Sequence, residues 1–227
     1  MNRRRHAAQL LGDYPNALRF RARAARSPGV PAAFAGGSLR PVVILPGIYE
    51  TWHYLRPIAE ALSAEGHPVH VIPTLGLNRA PIPVTAARVW REMVARDLHG
   101  AVIVAHSKGG IVGKHLLARD ARDDREGRID RLIAIASPFN GSAMARIAPN
   151  RALRDFLPED PVISGLAADR AVNAGITSIY ASFDPHIPDG CALEGAHNIE
   201  LPVVGHFRIL LHPAVIDAVR AAIGRER

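Results

Sequence analysis

The chain has only one cysteine, Cys191, so no internal disulfide can brace the fold. Aromatic residues make up 5% of it, and nowhere does it carry the run of about twenty apolar residues that a membrane-spanning helix requires. Most of the chain also lacks net charge. The formal +7 sits in residues 1–40, where eight arginines face a single acid, Asp13, and the remainder is formally neutral. No basic face for nucleic acid is therefore supported. What the chain does have is length and apolar content: 227 residues, 48% of them hydrophobic, are enough for one sizeable core.

Residues 1–40 read as a basic N-terminal arm, a short helix and then a loop, ahead of a domain spanning 41–227. The arm can be solvated or packed, or it can adsorb to anionic lipid headgroups, to which each arginine would contribute on the order of 1 kcal/mol. Arg3, Arg4 and Arg5 resemble the charged start of a signal peptide. Gly12, Asp13, Pro15 and Arg19 interrupt the apolar segment that should follow, so a cytoplasmic protein is expected.

Periodicity then alternates between strand and helix. Pro41–Leu45 is a continuous apolar run ending at Pro46-Gly47, as a strand covered on both faces would be. Helical spacing follows over 52–65, a short strand at Val69–Ile72, and a helix near 84–98. The run Val102-Ile103-Val104-Ala105 stops at His106-Ser107-Lys108-Gly109-Gly110, where the period changes from two to helical at the serine itself. A polar turn is expected over 120–127 and further strands at 129–136 and 176–181. A short strand is expected at Val203-Val204, and a last helix near Pro213. This order predicts an α/β fold with a mostly parallel sheet of about six strands and helices on both faces. Residues 141–173 break the alternation; they read equally as a partial lid or as ordinary crossover helices.

Three residues fall just beyond three strands in the order Ser107, Asp184, His206, the order of a nucleophile-elbow triad. Asp189 is a rival acid, and His186, His197 and His212 are rival bases. Asp184 follows its strand most closely, and His206 sits beside Gly205 before the last helix. The eleven histidines show no metal-ligand spacing, no cofactor is expected, and Cys191 has no elbow around it.

From about Pro41 to Ile223 the chain resembles the α/β-hydrolase superfamily, and within it the small bacterial lipases and esterases. The resemblance rests on Leu45-Pro46-Gly47-Ile48-Tyr49, Ala105-His106-Ser107-Lys108-Gly109-Gly110, Ala136-Ser137-Pro138-Phe139-Asn140-Gly141-Ser142, Asp184 near Pro188, and Gly205-His206-Phe207. Ala105 stands where the elbow usually has glycine, and Pro46-Gly47 where many lipases have His-Gly. The resemblance implies an ester hydrolase in which Ser107 attacks, His206 takes the proton and Asp184 orients the imidazole. The backbone N–H groups of Lys108 and Ile48 would hold the oxyanion, with Tyr49 as the alternative neighbour in the first loop. The Lys108 side chain is expected in solvent or at the pocket mouth, and Tyr49, Trp52 and Phe139 are expected on an apolar substrate rim. The substrate would be a small acyl ester or lipid. Acyl transfer, amide cleavage, or non-catalytic binding of a hydrophobic ligand or membrane are the alternatives.

Overall fold

The computed structural model describes residues 3–27, 29–122, 127–147 and 151–224. Six strands form one sheet in the order β2-β1-β3-β4-β5-β6, every neighbouring pair parallel. They are β1 (Val42–Leu45), β2 (Val69–Val71), β3 (Ala101–His106), β4 (Ile129–Ile135), β5 (Ile176–Phe183) and β6 (His197–Val204). Because side chains alternate across a strand, β1 and β3 each feed two cores. Val43, Leu45, Ile103 and Ala105 enter one, with Trp90 and Met93 of α3 (Ile82–Ala95) and Ile111 and Leu116 of α4 (Lys108–Arg122). Val42, Ile44, Val102 and Val104 enter the other, with Leu62 of α2 (Arg56–Ala64) and Val219 of the last helix, Pro213–Gly224. This two-sided burial explains why the central strands read as unbroken apolar runs.

Strand β6 is longer than the two residues expected. From Asn198 onward exposed side chains alternate with inward ones, of which Leu201 and Val203 are buried, and Pro202 lies within the strand; both features are tolerable because it is an edge strand. The polar turn expected over 120–127 falls largely on residues 123–126, outside the described residues. No helix among the described residues is long and apolar enough to cross a membrane.

The N-terminal stretch departs most from expectation. Arg3–Arg26 is one 24-residue helix, α1, with Pro15 inside it. Phe20 is buried in the same core as Leu62 and Val219, its ring stacked 4.8 Å from that of Tyr54. The Tyr54 hydroxyl donates to the Ala17 carbonyl, and a ring nitrogen of His53 lies 2.9 Å from the Ser27 carbonyl oxygen. Helix α1 is therefore docked on the fold through its second half.

The segment 141–173 divides in two. Residues Ala143–Ile147 and the short helix α5 (Arg151–Arg154) arch over the ends of the strands. The helix α6 (Pro161–Ala168), capped by the Asp160 carboxylate, instead buries Ile163 and Leu166 in the core that α4 also enters.

Candidate active site

Strands β1 and β3 lie side by side, yet the chain leaves β1 toward β2 on one side and reaches β3 on the other. A crevice opens beyond the strand ends at such a reversal of order. Both Pro46-Gly47 and Ser107 sit there. Ser107 has φ +51°, a left-handed conformation that a non-glycine residue rarely adopts and that a sharp strand-to-helix turn imposes. Its N–H donates to the Ile135 carbonyl at 2.9 Å, which ties the turn to β4.

The two following glycines are required by close approach. A Cβ on Gly109 would lie 2.2 Å from the Leu45 carbonyl oxygen, and one on Gly110 would lie 2.0 Å from Ser137 Oγ. The start of α4 can thus lie directly on the ends of β1 and β4.

Asp184 follows β5 and uses both carboxylate oxygens. Oδ1 accepts from the His186 and Ile187 N–H groups at 2.8 and 3.2 Å, and Oδ2 lies 2.6 Å from His206 Nδ1. Burial alone would raise the Asp184 pKa, but His206 and, less strongly, His186 outweigh it and hold the carboxyl below its ordinary value. Burial pushes the His206 pKa down, yet Asp184, Glu50 and Asp13 together leave it raised. Each partner therefore favours the charged form of the other.

The first loop offers one free donor beside the elbow. Tyr49 has φ +61° and its N–H donates to the Leu77 carbonyl at 2.7 Å. Gly47 N–H is likewise engaged, by Glu50 Oε2 at 2.7 Å. Among the described residues the Ile48 N–H has no acceptor, and neither has the Lys108 N–H at the first position of α4. That selects Ile48 over Tyr49 as the available backbone donor.

Three side chains lie elsewhere than expected. Lys108 is 2% exposed, and its ammonium donates to the Asn78 and Ala80 carbonyls. Burial lowers its pKa to about 8, against a smaller opposing pull from Asp155. Trp52, 8% exposed, packs edge-on against Phe34 in the α2-side core, with the Arg56 guanidinium over its ring. Phe139, 2% exposed, sits in the opposite core. Neither aromatic lines the cavity at the site; Tyr49 does.

That cavity has a volume of about 490 Å³ and contains Ser107 and His206 on its wall. Ile48, Met144, Leu153 and Phe156 make much of it apolar, so the arch over the strand ends contributes directly. Helix α1 supplies the other side through Tyr14, Ala17, Leu18 and Arg21.

The rival residues have other positions. Asp189 accepts from the Ala143 N–H at 2.8 Å and braces the arch. The His186 ring stacks on His206 at 4.9 Å, and burial, reinforced by the His206 charge, lowers its pKa to about 4. His197 is exposed at the start of β6, and His212 begins the approach to the last helix. Cys191 is buried, which pushes its thiol pKa well up and leaves it a poor nucleophile.

Two acids at the site were not anticipated. The Glu50 carboxylate lies 2.9 Å from His106 Nδ1 through both of its oxygens, and His106 Nε2 lies 3.1 Å from the His206 carbonyl oxygen. Glu50, His106 and His206 bring donor atoms within 4.8 Å of one another, as metal ligands would. Both His106 nitrogens already face these acceptors, so the arrangement works as a hydrogen-bonded strut. The second acid is Asp13, the single acid among the arginines of α1. Its carboxylate accepts from the N–H groups of His206, Phe207 and Arg208 at 2.6, 2.8 and 3.0 Å. A buried polar residue closing an apolar strand was the available signal for His106, and isolation among cations was the signal for Asp13.

No protein-family profile matches the chain, and no curated protein does. Solved structures do. An extracellular α/β-hydrolase from a Paenibacillus species, described as sharing structural and functional homology with tobacco salicylic acid binding protein 2, is 15% identical. It aligns over 83% of this chain and 100% of its own, with a TM-score of 0.57. An enol-lactonase from Burkholderia xenovorans is 19% identical over 83% of this chain and 93% of its own, with a TM-score of 0.58. A hydrolase from Pseudomonas aeruginosa is 18% identical over 83% and 92%, with a TM-score of 0.54. The chain has the α/β-hydrolase fold.

Proposed function

We propose that the protein is a serine hydrolase of carboxylic esters, with Ser107 as nucleophile, His206 as general base and Asp184 as the carboxylate that orients it. The observation that carries this reading is the strained Ser107 turn on the same cavity wall as a buried His206 whose Nδ1 is 2.6 Å from Asp184. A donor at Nδ1 leaves Nε2 as the ring's basic nitrogen, the tautomer a general base needs.

In the first half-reaction Ser107 Oγ bonds to the ester carbonyl carbon while His206 Nε2 accepts the hydroxyl proton. The Ile48 and Lys108 N–H groups would stabilise the oxyanion, each donor contributing about 10² to 10³ in rate. Collapse breaks the bond to the alcohol, which leaves with the proton from His206. Water then attacks the acyl-serine carbonyl carbon as His206 takes its proton; collapse breaks the bond to Ser107 Oγ, His206 returns the proton to that oxygen, and the carboxylic acid is released. Hydrolase-fold neighbours, among them an enol-lactonase, support this class of chemistry. The apolar arch favours an acyl group of small to moderate size, since about 490 Å³ is the scale of a small-molecule pocket.

The test is fluorophosphonate labelling together with a series of p-nitrophenyl esters of increasing chain length. Wild type should be labelled and turn over part of the series, and Ser107→Ala should do neither. Equal labelling of the two proteins would remove Ser107 from the mechanism. Analysis of products with competing alcohols separates hydrolysis from acyl transfer.

A further inference from the structure

Helix α1 does more than cover the cavity. Asp13 reaches across 193 positions of sequence to His206 N–H, and its two oxygens take three successive backbone N–H groups, those of residues 206, 207 and 208. Asn16, one turn further along α1, points its amide at Asp13 Oδ1 from 3.4 Å. Asp13 is 2% exposed, so these donors are its solvent. Room for the carboxylate depends on Gly205, where a Cβ would lie 2.7 Å from Asp13 Oδ1 and where φ is +128°.

The backbone of His206 is consequently held on both sides. Its N–H goes to Asp13 and its carbonyl oxygen faces His106 Nε2, while its ring is held at Nδ1 by Asp184. We propose that Asp13 is a positioning residue for the general base. By docking α1 onto the 205–208 loop it fixes where the His206 imidazole stands, so α1 is part of the catalytic centre. A buried carboxylate bound by three N–H groups has little freedom, and rigid support of this kind is what a reactive geometry sensitive to about 1 Å needs. The assignment rests on the reading of His206 as the base.

Several charged or titratable groups face His206: Asp184 from the β5 end, Glu50 from the first loop, Asp13 from α1, and the rings of His106 and His186. Of these, Asp13 is the acid whose contact is with the backbone of His206 and not its ring. Replacing it thus combines a loss of anchoring with the loss of one negative charge.

The experiment compares wild type with Asp13→Asn, which keeps the shape but puts a donor against donors. It adds Asp13→Ser, which admits water to the three N–H groups, and Arg19→Gln, an exposed change on α1, as control. In folded Asp13 variants kcat should fall about 10²-fold, KM should change little, and the acid limb of the pH profile should move to lower pH. NMR titration of the His206 ring should show the same downward shift without any substrate. Arg19→Gln should match wild type. A folded variant with a lower melting temperature but unchanged kcat and unchanged His206 titration would overturn the proposal. Loss of folding in both variants would also overturn it, by assigning Asp13 to stability. If wild type hydrolyses no ester while the His206 titration still responds to Asp13, the ester reading fails and the Asp13 contact stands.

Discussion

His106 Nε2 lies 3.1 Å from the carbonyl oxygen of His206, a contact between residues 100 positions apart that joins the Ser107 turn to the loop of the proposed base. The other nitrogen of the same ring meets the Glu50 carboxylate, which in turn accepts from Gly47 N–H. The ring is thus held on both sides, by the Glu50 carboxylate at Nδ1 and by the His206 carbonyl oxygen at Nε2. The three loops that carry Ser107, Ile48 and His206, the proposed nucleophile, oxyanion donor and base, are coupled through this pair.

Glu50→Ala removes one member of a fully buried pair. The unpaired partner left behind should cost about 3 to 5 kcal/mol of stability. Urea unfolding measures this. In protein that remains folded, kcat should fall more than KM rises, because the Ile48 donor and the His206 loop both lose their anchor. A stability loss under about 1 kcal/mol would show that the pair carries no weight.

With His206 as the proposed base, its raised pKa is expected to set the acid side of the rate profile. A general base must be neutral, so kcat/KM should fall on acidification with a midpoint above about 6.5, the ordinary imidazole value. Asp184→Asn removes the strongest carboxylate influence on the ring. Its midpoint should move down, with a loss in kcat approaching about 10⁴-fold. The linkage to folding has the same sign. Stability from the charged ring is fully present below its unfolded pKa and is lost as pH rises through the folded one. A wild-type midpoint below that of Asp184→Asn would contradict both statements.

Trp52 and Phe139 should behave as core residues. Replacing either by alanine is expected to cost about 3 to 5 kcal/mol in stability, with little change in KM among esters of different chain length. Leu153→Ala should do the reverse. Leu153 lines the cavity and is only partly buried, so its truncation should shift preference toward longer acyl chains at small cost in melting temperature.

Gly109→Ala would place a methyl 2.2 Å from a backbone oxygen of Leu45. Backbone cannot swing aside as a side chain can, so the start of α4 would have to lift from β1. Loss of fluorophosphonate labelling is expected even where circular dichroism reports a folded protein. By contrast, a Cβ at Gly165 meets nothing within 4 Å, so Gly165→Ala on α6 should leave labelling intact.

The parallel α/β architecture was legible in the sequence, as was the placing of Ser107, Asp184 and His206 just beyond three strands, because both are written in local signals. Buried parallel strands need β-branched runs such as Val42–Leu45, and a tight strand-to-helix turn needs small residues such as Gly109 and Gly110. Even the availability of Ile48 was half legible, since Pro46-Gly47 marked the loop. Tertiary structure alone decided which of Ile48 and Tyr49 keeps a free N–H, since the competing acceptor is Leu77, far along the chain. It also decided that Trp52 and Phe139 face the two cores, which depends on how the helices dock and not on residue type. Above all, it turned Asp13 from a lone acid in a cationic stretch into the anchor of His206. A contact across 193 residues leaves no periodicity behind, only the isolated charge that burial later explains.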